Sequence, residues 1–412
     1  MKTFFVFAML FCFIQCCFCQ EAAKLIIPGA YRTNVYAPLL KGKRIGVFAN
    51  QTSVIGTTNL IDTLLRLGIN VTKIFSPEHG FRGNADAGAS TANSIDAATH
   101  VPVVSLYGKK NKPTPDDLQD IDILLFDIQD VGVRFYTYIS SLQYFMEAAA
   151  ENRKPLMILD RPNPNGFYID GPVLDTNYKS FIGMQPVPVV YGMTIGEYAM
   201  MISGEGWLST EAANRKFAWY KNFAQNSADT AFHFLVIKCA NYDHKSKYQL
   251  PVKPSPNLPD MGSVYWYPST CFFEGTNISE GRGTNEPFQM FGAPSLPKNM
   301  YAFTPVSRPG ATSPKFLNQT CYGWNVNGKK ADDKKLNLQY LIDAYSLYPD
   351  KENFFIKPTT GDYFFNKLAG SAVLMQQLKD GKTAEEIHAS WQPGLEKFKQ
   401  IRKKYLLYDD FE

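Results

Sequence analysis

Residues 71–83 read VTKIFSPEHGFRG. Val71 to Phe75 is a short apolar run with β-branched residues, and Ser76-Pro77 breaks it. Glu78, His79 and Arg82 follow at once, spaced by Gly80 and Gly83. A strand that ends in a carboxylate, an imidazole and a guanidinium, on backbone loosened by glycine, has the form of an active-site loop. The same residues would also serve as a polar surface turn, so the flanking sequence has to decide between the two.

Upstream, residues 44–50, RIGVFAN, form a second β-type run, and 57–67 carry apolar residues at helical spacing (Leu60, Ile61, Leu64, Leu65) with a stop at Gly68. Downstream, Val101–Leu106, Ile121–Phe126 and Leu156–Leu159 are further apolar runs, with a helix predicted over 140–152. Strands that are apolar throughout are buried on both faces. In alternation with helices they predict an α/β fold built on a doubly wound, mostly parallel sheet. Ligands bind such sheets beyond the carboxyl ends of the strands. Those ends carry Asn50, Glu78, His79, Asp127, Gln129, Asp130, Asp160 and Arg161, with Arg134 and Asn163 close behind. That recurrence favours the functional reading of Glu78.

Beyond Gly171 the texture changes. Thr194-Ile195-Gly196-Glu197 and Thr383-Ala384-Glu385-Glu386 are capping boxes that start helices. A strand is predicted over 232–240, and amphipathic helices over 336–347 and 366–379. Residues 251–296 are dense in Pro, Gly, Ser and Asn, and a loop-rich stretch of that length in an ordered chain is usually functional. Within it, Glu274, Glu280 and Arg282 repeat the chemistry of the opening stretch. The division predicted is 1–19 as a signal peptide, 20–296 as the catalytic domain, and 297–412 as a smaller, mixed α/β C-terminal domain.

The chain starts with Lys2 and the apolar run FFVFAMLFCFI, the pattern of a secretory signal cut before Gln20. An exported protein, in the periplasm or at the cell surface, is expected. Removing Lys2 lowers the formal net charge of +4 by one, and so mild a charge gives no case for nucleic-acid or anionic-membrane binding. No later stretch is long and apolar enough to span a bilayer. Four of the seven cysteines fall in the signal. Cys239, Cys271 and Cys321 remain, an odd number with no metal-ligand spacing. There is no GxGxxG after the first strand, no GxxxxGK[ST], no GxSxG and no HExxH. Dinucleotides, P-loop nucleotides, a hydrolase elbow and a dedicated zinc site are all disfavoured, and neither cofactor nor metal is expected.

Glu78, Glu274 and Glu280 are the acid/base candidates. Glycoside hydrolysis commonly uses one carboxyl to protonate the leaving oxygen and a second group on the other face of the sugar. His79, Arg82, Asn50, Asp127, Gln129, Asp130, Arg134, Asp160, Arg161, Asn163 and Arg282 are the candidate substrate contacts, and the hydroxyls of Tyr136, Thr137 and Tyr138 suit sugar hydroxyls. Several of these residues would equally well form structural locks: Asp–Arg pairs within the loop after 126, turn chemistry at DRPNPNG, and an Arg282 bridge to Glu274 or Glu280.

Together SPEHGFRG, FDIQDVGVRFYTY, DRPNPNG, DGPVLD, YGMTIGEYA, SPNLP, FEGTNISEGRGT and the closing LAGS…SWQPGLEKFKQIRKKYLLY resemble the exo-β-N-acetylmuramidase family, glycoside hydrolase family 171. The resemblance runs from about Ile26 to Tyr408. It implies a Rossmann-like N-terminal domain, a smaller C-terminal domain and an active site in the cleft between them. It further implies exo-cleavage of β-1,4-linked N-acetylmuramic acid from the non-reducing end of peptidoglycan fragments, with Glu78 catalytic. Arginines Arg82, Arg134, Arg161 and Arg282 would suit the anionic lactyl group. A non-catalytic muropeptide-binding protein using the same cleft is the alternative, and an esterase is opposed by the missing elbow.

Overall fold

The computed structural model describes residues 24–83, 86, 92–214, 217–219, 232–332 and 334–412. The predicted signal peptide lies outside them. Thirteen strands are formed by the described residues. The large sheet takes β1 (Arg44–Ala49), β4 (Asn70–Ser76), β5 (Ser94–Ile95), β6 (Pro102–Ser105), β7 (Ile123–Asp127), β8 (Leu156–Leu159), β9 (Phe217–Trp219) and β10 (Phe232–Ile237). A two-stranded ribbon, β2 (Val54–Ile55) with β3 (Thr58–Asn59), follows β1. A separate antiparallel sheet holds β11 (Met290–Ala293), β12 (Tyr301–Phe303) and β13 (Cys321–Asn325).

The order across the large sheet is β5-β6-β4-β1-β7-β8-β10-β9. Every pairing in it is parallel except that of the edge strand β5 with β6. The chain therefore winds outward from β1 to one side and then, through β7, to the other, the doubly wound α/β arrangement that the apolar runs predict. β7 and β8 are buried at every position, which is why they lack the alternation of a half-exposed strand. The helix Tyr138–Glu151 covers one face of the sheet, and its Phe145 packs edge-on against Phe48 and Phe75.

Both capping boxes close as read. Thr194 and Glu197 start Ile195–Gly204, and Thr383 and Glu386 start Ala384–Arg402. The single helix expected over 366–379 is instead two, Phe364–Ala369 and Val373–Lys379. Gly370 divides them, in the left-handed conformation at φ 80°. A Cβ there would meet Arg134 Nη2 at 2.8 Å and Leu174 Cα at 2.9 Å. The break gives Arg134 its place: fully buried, it donates to the carbonyls of Pro172, Val187 and Leu368 at 2.7–2.8 Å. That side chain ties the strand-end loop to the C-terminal helices, and burial lowers its pKa to about 9.

Asp127 and Arg161, at the ends of neighbouring β7 and β8, form a bidentate pair at 2.6 and 2.8 Å with 0% and 1% side-chain exposure. Arg161 also donates to the carbonyl of Val54 in the ribbon after β1. Burial pushes the Asp127 carboxyl up, and the guanidinium opposes that push. Removing one partner leaves the other charge buried alone. We expect Asp127→Ala to lower the unfolding free energy by about 3–5 kcal/mol. A chemical-denaturation curve that moved by less than about 1 kcal/mol would show the pair to be dispensable.

Candidate active site

The turn after β4 sets the site. Pro77 accepts from the backbone N–H of Gly80 at 3.0 Å, and Gly80 accepts from Gly83 at 3.2 Å. His79 sits at φ 67° and Gly80 at φ 73°. A non-glycine residue in that region is uncommon and costs of order 1–3 kcal/mol, a type of strain that clusters at functional sites. The tight reversal buries the His79 ring, with Nε2 3.3 Å from Ser255 Oγ, and leaves Glu78 half-exposed beside it.

Glu78 and His79 open onto a cleft whose walls include Tyr136, Thr137, Ser255, Asn257, Tyr267 and Arg282. Thr137 Oγ1 is 3.5 Å from Glu78 Oε2. Tyr107, at the end of β6, hydrogen-bonds the Glu78 carboxylate, and burial together with the charges of Glu78 and Glu274 pushes its phenol well up, so it remains a donor. The far wall is anchored through one carbonyl. Pro254 accepts from Tyr136 at 2.8 Å and from Gln51 at 3.0 Å, which brings the SPNLP segment against the strand-end loops.

Arg282 enters from the glycine-rich segment and is held by two carboxylates, Glu274 at 2.6 Å and Glu280 at 3.3 Å. Lys315, a residue with no signal in the motifs, completes the group. Its ammonium lies 3.1 Å from Glu280 and donates to the carbonyls of Phe273, Glu274, Thr276 and Ile278. Burial works to raise the Glu280 pKa, but Lys315 and Arg282 outweigh it and hold the carboxyl below its ordinary value. A carboxyl kept ionised between two cations is a poor proton donor. The structure places Glu280 as a buried counter-ion to Arg282 and Lys315, a setting that suits an ionised group better than a proton donor. Glu274 is the other arm of that clamp.

Of the other expected substrate contacts, His79 and Arg282 line the cleft. Asn50 stands behind it, fully buried, donating to the Tyr138 hydroxyl at 2.8 Å. Arg82 turns to the other side of the turn and makes a bidentate pair with Asp96 at 2.9 and 2.7 Å. Asp127, Arg161 and Arg134 are the internal locks described above. Gln129 donates to the carbonyls of Asp130 and Pro162. Asn163 donates to Met193 and accepts from Asn165. Asp130 accepts from the Tyr191 hydroxyl and the Gly132 N–H, and burial pushes its carboxyl up to about 7. Asp160 caps helix Ile195–Gly204 through Thr194 and Gly196 and accepts from Tyr408 at 2.6 Å, with burial raising it to about 6. These buried residues make most of their hydrogen bonds to the protein and build the floor of the site, although Gln129 Oε1, Asp130 Oδ1, Arg134 Nε and Arg161 Nη1 have no hydrogen-bond partner among the described residues. Tyr107, Ser255 and Asn257 are site residues not singled out from the sequence, although Tyr107 falls at a strand end and the other two lie within SPNLP.

On a doubly wound α/β sheet, one cleft brings together a strand-end carboxylate, several phenols and a clamped arginine from the glycine-rich segment. Comparison with known proteins makes this specific. The sequence model described as exo-beta-N-acetylmuramidase NamZ, N-terminal, matches residues 45–262, and its C-terminal counterpart matches 265–408. The chain is 40% identical over 392 residues to the peptidoglycan beta-N-acetylmuramidase NamZ of Bacillus subtilis (strain 168), covering 90% of this chain and 89% of that one. Two crystal structures of DUF1343 family proteins from Bacteroides fragilis NCTC 9343 superpose with TM-scores of 0.82 and 0.73 at 45% and 30% identity. They cover 94% and 93% of this chain, and 100% and 99% of their own. The chain belongs to the NamZ exo-β-N-acetylmuramidase family.

The Glu280 cluster has a stability signature. A carboxyl held below its ordinary value contributes stability above that value and loses it as pH falls through the depressed one. We expect Glu280→Gln to cost about 1–3 kcal/mol at pH 7. The gap from wild type should narrow as pH falls below the ordinary glutamate value of 4.5. Urea titrations at pH 7 and below 4.5 check this, and a gap that widened at low pH would contradict it.

Proposed function

We propose that this protein is an exo-acting glycosidase that hydrolyses β-1,4-linked N-acetylmuramic acid from the non-reducing end of peptidoglycan fragments, a reaction of cell-wall turnover. The observation that carries the reading is that one cleft brings together Glu78, half-exposed at a strained turn, and Arg282, a fixed cation. Membership of the NamZ family supports the same substrate class.

In this reading Glu78 gives its proton to the glycosidic oxygen as the bond to the anomeric carbon breaks. The bonding electron pair leaves with that oxygen. Water adds to the anomeric carbon, and the proton it gives up restores the one Glu78 lost, so the overall step is hydrolysis. Tyr107 and Thr137 donate to the Glu78 carboxylate after proton transfer and stabilise its charge. Arg282 receives the lactyl carboxylate, the group that distinguishes N-acetylmuramic acid from N-acetylglucosamine. A planar guanidinium suits that task, and its clamp of Glu274 and Glu280 fixes its direction before substrate arrives. Phenol rings of Tyr136 and Tyr267 supply apolar faces for the sugar ring.

The place of action we propose is outside the cytoplasm, in the periplasm or at the cell surface. Lys2 and the apolar run after it support export. Among the described residues no helix is long and apolar enough to cross a membrane.

Glu78→Gln keeps the size and hydrogen-bonding capacity of the side chain but cannot donate the proton. We expect it to fold as the wild type does and to release N-acetylmuramate from a chromogenic muramoside about 10²–10⁴-fold more slowly. Turnover near the wild-type rate would remove Glu78 from the mechanism.

A further inference from the structure

Arg282 is already outweighed before an anionic substrate arrives. Two carboxylates hold its guanidinium, Glu274 at 2.6 Å and Glu280 at 3.3 Å. One cation against two carboxylates is a net charge of −1, the sign that repels a lactyl carboxylate. Lys315 restores the balance. Its ammonium lies 3.1 Å from Glu280 Oε2 and brings the ion-paired group to two cations against two carboxylates. The four side chains are only 4–25% exposed, so water screens these charges less than it would a surface pair.

Lys315 comes from the segment between β12 and β13, and that segment is fastened against the cleft. The Val306 N–H donates to the carbonyl of Gly283 at 3.0 Å, and Asn257, in the cleft wall, donates to the carbonyl of Gly310 at 2.8 Å. Pro314 packs so closely on Gly283 that a Cβ there would meet its ring at 2.6 Å. Asp86, beyond the turn that carries Glu78, accepts from the N–H groups of Gly310 and Thr312 at 2.9 and 3.2 Å. Phe316, next to Lys315, stands at φ 55° with its ring against the core. Strain of that kind clusters at functional sites.

The ammonium has three protons, and four carbonyls surround it: Phe273, Glu274, Thr276 and Ile278, at 2.8–3.1 Å. Glu280 Oε2 is buried and has no hydrogen-bond partner among the described residues, although the ammonium is 3.1 Å away. Lys315 therefore meets Glu280 as a charge and not as a donor. The carbonyls fix its place without cancelling that charge, because they carry none of their own. Burial opposes the charge on Glu280, and Lys315, ahead of Arg282, helps to outweigh it.

We propose that Lys315 determines specificity through Arg282: its charge offsets one carboxylate of the clamp, so that the guanidinium attracts the lactyl carboxylate and the site prefers N-acetylmuramic acid to its uncharged analogues. Lys315 is a positioning residue, its ammonium committed to Glu280 and the four carbonyls. The inference rests on the reading that Arg282 receives the lactyl group.

The test compares two ligands by titration calorimetry: N-acetylmuramic acid, and the same sugar with its lactyl carboxylate replaced by a carboxamide. We expect wild type to bind the acid more tightly. Lys315→Met should lose on the order of tenfold in affinity for the acid and keep its affinity for the amide within about twofold. Equal weakening of both ligands is what a merely structural role would give, and it would overturn the proposal. A second variant, Lys315→Met with Glu280→Gln, removes cation and carboxylate together. It leaves neither charge buried alone, and the remaining pair of Arg282 and Glu274 is neutral. Whether or not the single variant folds, we expect the double variant to prefer the acid to within about threefold of wild type. A double variant that bound the acid no better than the amide would overturn the charge balance. Equal affinity of wild type for the two ligands would instead overturn the lactyl role of Arg282, and this inference with it.

Discussion

Charges buried at the carboxyl ends of parallel strands must be paired, and most of this structure follows from how they are. Asp127 and Arg161 sit at the ends of β7 and β8, where almost no solvent reaches them. Each keeps its charge only because the other is there. Arg161 spends a further donor on Val54, so the same pair fixes the ribbon after β1. Three strand ends at the point where the winding of the sheet reverses are thereby held in one register. The turn that presents Glu78 rises beside a rigid floor.

The same logic operates one layer out. Arg282 reaches the cleft from a segment rich in glycine that has little regular structure of its own. Glu274, Glu280 and Lys315 give it a single position, with the Lys315 ammonium drawing four carbonyls of that segment together. Ion pairing and hydrogen bonding fix the loop between the core anchors Phe273, Ile278 and Phe288. The cost is that Glu280 is committed as a counter-ion. The division of labour among carboxylates follows from environment: Glu78 is half-exposed in the cleft, whereas Glu280 is shut between cations.

The sheet was legible because each buried strand is a run of apolar residues with no competing period, and the capping boxes of Thr194 and Thr383 mark helix starts by local chemistry alone. Strand ends could also be read, and with them the neighbourhood of the site. What could not be read was direction. Asp130, Asp160, Asn163 and Arg134 all follow strands as Glu78 does, yet their side chains turn inward to Tyr191, Tyr408, Met193 and the Leu368 carbonyl. Their partners lie 30 to 248 residues away, beyond the reach of any local pattern. Gly370 shows the same limit: the apolar spacing across it continues, and only the arrival of Arg134 explains the break. Tyr107 and Ser255 were missed for the converse reason, since each becomes a site residue only when Glu78 and His79 fold against it.

The account centres on one cleft in which Glu78 meets the scissile oxygen while Arg282 holds the lactyl carboxylate. A crystal structure with N-acetylmuramic acid bound tests this most directly. The sugar should lie in the cleft with its anomeric oxygen about 3 Å from the Glu78 carboxylate and its lactyl carboxylate about 3 Å from the Arg282 guanidinium. A sugar bound in the cleft with its anomeric oxygen turned away from Glu78, or one bound outside it, would contradict the account.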